Sequence, residues 1–266
     1  MTNKKPDLAI LIPAHDSYKD IVYIWCQAIK KFWPDCPYPI IWANGTETLE
    51  DEKVTVLHCG NDSAFCGRIL HALETVDAKY LLIWGEDFIM TRNFDGDRLR
   101  KIVDYMQLSE SVHCRMFHSG KADMLKSPLK DLYKIEPTKA YAISINIGIF
   151  TEDFLRSALR EMWSGWDMEK HFLSLSQEGK SFGCLYDDSN NGNMVHLVKQ
   201  GMMFPEAYRA VKKAGLKYAG NREIMPCTQS LMFNLTTFIG GICPQKMRAW
   251  LKVIAKKMGA KFVTEN

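Results

Sequence analysis

The chain is short of the features that most directly fix a protein's class, and each shortage excludes something. Its eight cysteines form no Cys-x-x-Cys pair and show no zinc-type spacing. Several sit inside apolar runs, where a thiol behaves as a small hydrophobe, so reduced and buried thiols are expected. No run approaches the roughly 18 consecutive apolar residues of a membrane-spanning helix. Met1 to Pro6 leads straight into a strand-like segment with no secretion-type apolar stretch, so a soluble cytoplasmic protein is expected. The net charge of +3 is small and spread out, unlike the concentrated basic face of a nucleic-acid binder, and no nucleic-acid partner is expected. Neither Gly-x-x-x-x-Gly-Lys-Ser/Thr nor Gly-x-Gly-x-x-Gly occurs, which removes P-loop and dinucleotide-binding chemistry. There is also no Gly-x-Ser-x-Gly elbow and no His-Glu-x-x-His.

What is present is a regular alternation. Leu8 to Ile12 is a continuous apolar run, the pattern of a strand buried on both faces. Ile21, Trp25, Ala28, Ile29 and Phe32 follow at helical spacing and Pro34 stops them. Residues 38–43 read as a second strand closed by Asn44-Gly45, 54–57 as a third, and 80–84 as a fourth broken by Gly85-Glu86-Asp87. Between the last two, Phe65, Ile69, Ala72, Leu73 and Val76 repeat at helix period. Strands alternating with amphipathic helices over 8–107 predict an α/β fold with a mainly parallel sheet flanked by helices.

Beyond residue 110 the pattern loosens into a more irregular C-terminal half. Residues 112–117 and 141–150 read as strands, 121–139 as a mobile connection, and 152–162, 166–177 and 205–214 as helices. The expected organisation is a ligand-binding α/β half over 1–110, a second half of the same domain over 111–243, and a C-terminal helix over 244–266. In that helix Met247, Trp250, Leu251, Ile254 and Met258 make one stripe among basic residues. Two readings stay open: the stripe packs on the core, or the helix lies peripherally on an anionic bilayer.

In open α/β sheets ligands bind beyond the carboxyl ends of the strands. Those ends collect His15 and Asp16 after strand one, Asn44, Gly45 and Glu47 after strand two, and Glu86 and Asp87 after strand four. Two adjacent carboxylates in a cleft repel unless something compensates, and a divalent metal shared with a diphosphate is a common compensator. The alternative is a solvated turn in which one carboxylate caps a helix. His196 lies among apolar residues, as a metal ligand or as a satisfied core histidine. Arg68 suits a phosphate or a surface ion pair, and Lys199 a phosphate or solvent. Asp167 and Glu169 follow Trp163 and Trp166 at a helix start, where carboxylates act as a base or answer the helix dipole.

The stretch from His15-Asp16-Ser17-Tyr18-Lys19-Asp20-Ile21 to Phe32-Trp33-Pro34-Asp35-Cys36-Pro37-Tyr38-Pro39-Ile40 resembles the opening of GT-A-type bacterial glycosyltransferases of capsule and lipopolysaccharide clusters. Asp62 to Phe88 is similar to their next segment, in which an acidic pair ends a strand. Trp166-Asp167-Met168-Glu169 and Val195 to Gly201 resemble their "W-x-x-E" and "v-x-k-G" segments. The resemblance spans residues 8–215 and departs from a strict Asp-x-Asp pattern at Gly85.

The resemblance implies a GT-A-like fold and sugar transfer, with inversion, from a nucleotide-sugar donor to a saccharide or lipid-linked saccharide acceptor. It also implies a divalent metal, Mn²⁺ or Mg²⁺. With the residues read above, the candidate roles are Glu169 as base with Asp167 second, Asp87 and His196 at the metal, and His15, Asp16, Asn44, Arg68 and Glu86 around the donor. A nucleotidyltransferase or methyltransferase usually has a Gly-rich turn after strand one, where this chain has His15-Asp16-Ser17. A non-catalytic glycan- or nucleotide-binding protein of the same fold stays open as the alternative.

Overall fold

In the computed structural model, residues 7–117, 124–138, 142–178 and 182–233 are described. Leu8–Ile12 (β1), Ile40–Asn44 (β2) and Tyr80–Trp84 (β4) are buried at every position, as strands covered on both faces must be. Val54–His58 (β3) is half-exposed and forms the edge. These four strands pair in parallel in the order β3-β2-β1-β4.

Alternate residues of β1 serve opposite layers. Leu8, Ile10 and Ile12 pack with Ile21, Ile24, Trp25 and Ala28 of Lys19–Phe32 (α1). Ala9 and Leu11 pack with Cys66, Ile69, Ala72 and Leu73 of Phe65–Thr75 (α2). Trp25 meets Trp84 edge-on with ring centroids 5.3 Å apart, a geometry worth about 0.5–1.5 kcal/mol beyond the area buried.

After Phe88–Met90 (β5) and Gly96–Leu108 (α3), the sheet continues through Ser111–Arg115 (β6), Leu125–Lys126 (β7), Leu132–Ile135 (β8) and Ile147–Thr151 (β9). Glu152–Ala158 (α4) and Gly165–Gln177 (α5) lead to Gly183–Asp187 (β10). The nine-stranded order is β3-β2-β1-β4-β9-β6-β10-β8-β7, with β9 and β8 running against the other seven. Two small ribbons complete the irregular half. Met194–His196 (β11) pairs antiparallel with β5, and Val198–Lys199 (β12) with Met202–Met203 (β13), ahead of Pro205–Lys213 (α6).

The α/β class, the mostly parallel sheet and the flanking helices are as expected, with two local corrections. Part of the stretch expected as a connection over 121–139 is sheet, because β8 pairs with β10 and β7 with β8. The strand expected over 141–150 forms only from Ile147 and runs antiparallel between β4 and β6. The helix expected over 244–266 lies outside the described residues. Among those described, no helix is long and apolar enough to cross a membrane.

Candidate active site

At the ends of β1 and β2 the polar groups consume one another. Asp16 Oδ1 accepts from the Gly45 N–H at 2.7 Å, and Oδ2 accepts from the Thr46 N–H at 3.0 Å and the Thr46 hydroxyl at 3.2 Å. Burial works to raise the Asp16 pKa, but these donors outweigh it and hold the carboxyl below its ordinary value. A Cβ at Gly45 would lie 2.7 Å from Asp16 Oδ2, so any larger residue there would displace that carboxylate. Asn44 is fully buried, donates to Glu47 O at 2.8 Å and lies 3.4 Å from His58 Nδ1. His15 is exposed and caps the 3-10 turn Asp16–Tyr18, its Nδ1 accepting from the Ser17 N–H. Glu47 pairs with Lys19 at 2.7 Å.

The end of β4 is built differently. Gly85 donates its N–H to Asn146 O at 2.7 Å, and a Cβ on Gly85 would stand 2.9 Å from that same oxygen. The turn then reverses into β5, whose ribbon with β11 sets His196 opposite Phe88. The two rings stack at 4.7 Å and 6°, and His196 Nε2 lies 2.8 Å from Asp87 Oδ2. Leu197 N–H donates to Asp87 O at 2.7 Å and fixes the register from the backbone side. Two residues 109 positions apart are thus held in direct contact by a ribbon three residues long.

Glu86 is partly buried beside this pair. Burial first, then the Asp87 charge, push its carboxyl well above the ordinary range, against its own backbone N–H, Arg68 and Arg222. Arg68 is buried on α2, its Nε donating to Pro13 O at 3.3 Å and its Nη1 to Ser63 O at 2.7 Å. Among the described residues it makes no ion pair, and burial pulls its pKa down while Glu86, Cys59 and Asp16 oppose. The sequence expected a phosphate contact or a surface ion pair at Arg68, and the structure shows neither a surface position nor a pair.

Asp167 and Glu169 separate by role. Asp167 Oδ2 accepts from the Ser164 N–H at 3.1 Å and from its hydroxyl at 2.6 Å, and Ser164 Oγ accepts from the Asp167 N–H at 3.3 Å. That reciprocal pair is a capping box at the start of α5. Glu169 is half-buried, accepts from the Ile145 N–H at 3.2 Å, and is raised in pKa by burial. Ile145 precedes Asn146, so one short loop touches both Glu169 and the turn that carries Asp87. His113 supports that loop from below: Nε2 lies 3.4 Å from the Ser144 N–H and Nδ1 lies 3.1 Å from Ile149 O. Burial, then Arg115, hold its pKa down to about 3, so it stays neutral.

Three further residues belong to the site without a role assigned to them from the sequence. Arg222 pairs with Asp20 at 2.8 Å and lays its guanidinium 4.5 Å from the centre of the Tyr18 ring. The Tyr18 hydroxyl is raised in pKa by burial and then by Glu86 and Asp87. Asn146 stands exposed at the mouth of β9. Lys199, by contrast, was singled out in the sequence; it is half-buried 4.8 Å from the Phe233 ring, and burial lowers its pKa.

Asp87 and His196 offer one oxygen and one nitrogen ligand, and among the described residues no cluster of three or more His, Cys, Asp or Glu assembles. The carboxylate oxygen suits Mn²⁺ or Mg²⁺ completed by phosphate oxygens and water, while an imidazole nitrogen is the less usual ligand for either ion.

No protein-family model and no curated protein sequence matches the chain. Among solved structures it is similar to residues 1–349 of TarS from S. aureus, at 11% identity and TM-score 0.45, over 88% of this chain and 72% of that one. It is similar to the galactosyltransferase LgtC at 11% identity and TM-score 0.45, over 81% and 98%. A cytidylyltransferase from Leptospira borgpetersenii matches at 13% identity and TM-score 0.40, over 82% and 100%.

Proposed function

We propose that the chain is a GT-A-type glycosyltransferase that moves one sugar from a nucleotide-sugar donor to a saccharide or lipid-linked saccharide acceptor in surface-polysaccharide synthesis, inverting the anomeric carbon. The observation that carries this reading is the meeting of Asp87 and His196 at the carboxyl end of β4, beside Glu86 and the buried Arg68. Asp87 and His196 would hold the divalent metal, which neutralises charge on a leaving diphosphate when bound. Arg68, which among the described residues donates to two carbonyls, keeps guanidinium N–H groups for a phosphate, and Lys199 adds a second cation.

Glu169 is the base in this scheme. Its raised pKa strengthens it as a proton acceptor, and the Ile145 N–H holds one oxygen while the other is left for an acceptor hydroxyl. The acceptor oxygen attacks the anomeric carbon and its proton passes to Glu169. The bond from that carbon to the diphosphate breaks, and its electron pair leaves on the phosphate oxygen. Asp167, already engaged by Ser164, is the second candidate. A lipid-linked acceptor would be met at the inner membrane face by the basic amphipathic helix expected over 244–266. Gly85, standing where an Asp-x-Asp motif has its first carboxylate, favours one rival: a nucleotide- or glycan-binding protein without turnover.

Thermal unfolding with UDP-, GDP- and dTDP-sugars, with and without Mn²⁺, tests the reading, with CMP-sugars lacking the diphosphate as contrast. A donor at about 100 times its Kd stabilises by about 2.7 kcal/mol, and Asp87→Ala should abolish the shift. No shift with any nucleotide sugar sinks the proposal. Binding without sugar release to water or acceptor establishes the non-catalytic rival.

A further inference from the structure

Helix α1 presents Asp20, Tyr23 and Gln27 along one face, at the three- and four-residue spacings that align side chains. The outer two are spent on one segment, residues 217–222. Gln27 Nε2 donates to Lys217 O at 2.8 Å, and Gln27 Oε1 accepts from the Lys217 N–H at 2.9 Å. At the other end Asp20 accepts from the Tyr218 hydroxyl at 2.9 Å and pairs with Arg222, while Tyr218 Oη accepts from the Arg222 N–H at 2.7 Å. Gly220 lets the strand of chain pass, since a Cβ there would stand 2.4 Å from that hydroxyl.

Between the two anchors the chain leaves a cleft of about 820 Å³, within the roughly 300–1,000 Å³ of small-molecule sites. Tyr23 lines it and is 46% exposed, one of few large aromatics left open. Of the lining cations, Lys19 is paired with Glu47 and Arg222 with Asp20. Lys217 makes no ion pair among the described residues, and Asn221 stands exposed beside it. An open aromatic face with amide and ammonium donors at its rim suits a sugar ring, whose C–H face is apolar and whose edge is polar.

We propose that this cleft is a saccharide subsite that takes a sugar ring bearing an anionic group, with the ring on Tyr23 and the acid on Lys217. Its inner wall is Arg222, which covers Tyr18, and Tyr18 lies in the field of Glu86 and Asp87. Arg222 and Tyr18 therefore stand between the cleft and the candidate active site. Its role as the resting place of a remote acceptor sugar rests on the transferase reading; the binding itself does not.

Ligand-observed saturation-transfer titration of the full chain with glucuronate, glucose 6-phosphate and glucose tests it. At least one acid should bind about two- to fivefold tighter than glucose, a gap of the size a single partly exposed charge contact supplies. Tyr23→Ala should weaken all binding about tenfold, while Lys217→Glu should erase the preference for the acid and leave glucose unchanged. Whichever acid leads assigns carboxylate or phosphate as the recognised group. Both side chains are exposed, so unfolding temperatures matching the wild type certify the fold. No saturation transfer from any sugar, or transfer indifferent to Tyr23→Ala, overturns the proposal. Loss of nucleotide-sugar binding alone would remove the transferase reading and leave the subsite in place.

Discussion

Asp16 and Asp87 stand at the carboxyl ends of adjacent parallel strands, in sequence contexts of equal promise, and the fold treats them in opposite ways. Asp16 is saturated by three donors from the 45–46 turn and ties two loops together. Among the described residues Asp87 has a single side-chain partner, His196, and it sits beside a carboxylate that the protein makes costly to ionise. Position at a strand end selects candidates; the hydrogen bonds left unspent decide among them. Asn44 and His15 fall on the spent side with Asp16, and Arg68 on the unspent side with Asp87.

The contrast breaks most sharply under paired substitution. Asp87→Asn is expected to lower turnover by about 10²–10³, the cost of removing a group that meets developing charge, with little change in unfolding temperature. Asn44→Ala should do the reverse, costing about 1–3 kcal/mol of stability through the buried groups it orphans, with donor affinity intact in the folded fraction. Steady-state kinetics beside denaturant titration reads both; a joint loss in either variant would dissolve the distinction.

A smaller effect sharpens the chemistry of Glu86. An acid raised in pKa by folding binds more protons folded than unfolded, so stability falls as pH rises from the ordinary carboxylate range through its folded value. Glu86→Gln should flatten that fall and exceed the wild type most on the alkaline side, with little difference at acidic pH. Melting curves across pH would show it, and parallel curves would mean Glu86 ionises without cost. Smallest is Asp167→Ala, which loses a cap worth about 0.5–2 kcal/mol and should leave turnover near normal, whereas Glu169→Gln should cost about 10²–10⁴ in turnover. Equal losses would return Asp167 to the chemistry.

The sequence disclosed what short-range physics decides. Leu8 to Ile12 and Tyr80 to Trp84 are buried at every position, and the stripe ended by Pro34 gives a helix whose last residue is Phe32. It could nominate Asp87 and His196 separately, but not their contact, which depends on a three-residue ribbon closed across more than a hundred residues. Likewise β7 and β8 carry too few residues to show a period, and they become strands only because β10 offers an edge. Arg222 lies 202 residues from Asp20, in a loop with no pattern of its own. Asp167 could be placed at a helix start from its position alone, yet a carboxylate there fits a base equally well until its hydrogen bonds to Ser164 are drawn.

The backbone at Gly85 also constrains what can stand there. Here the carbonyl of Asn146 has closed to within 2.9 Å of where any side chain would begin, and it is the same carbonyl that receives the Gly85 N–H. An aspartate at position 85 would have to push back the entry to β9, and with it the loop that Glu169 grips. Gly85→Asp is therefore expected to reach Glu169 through the Asn146 loop rather than through any direct contact.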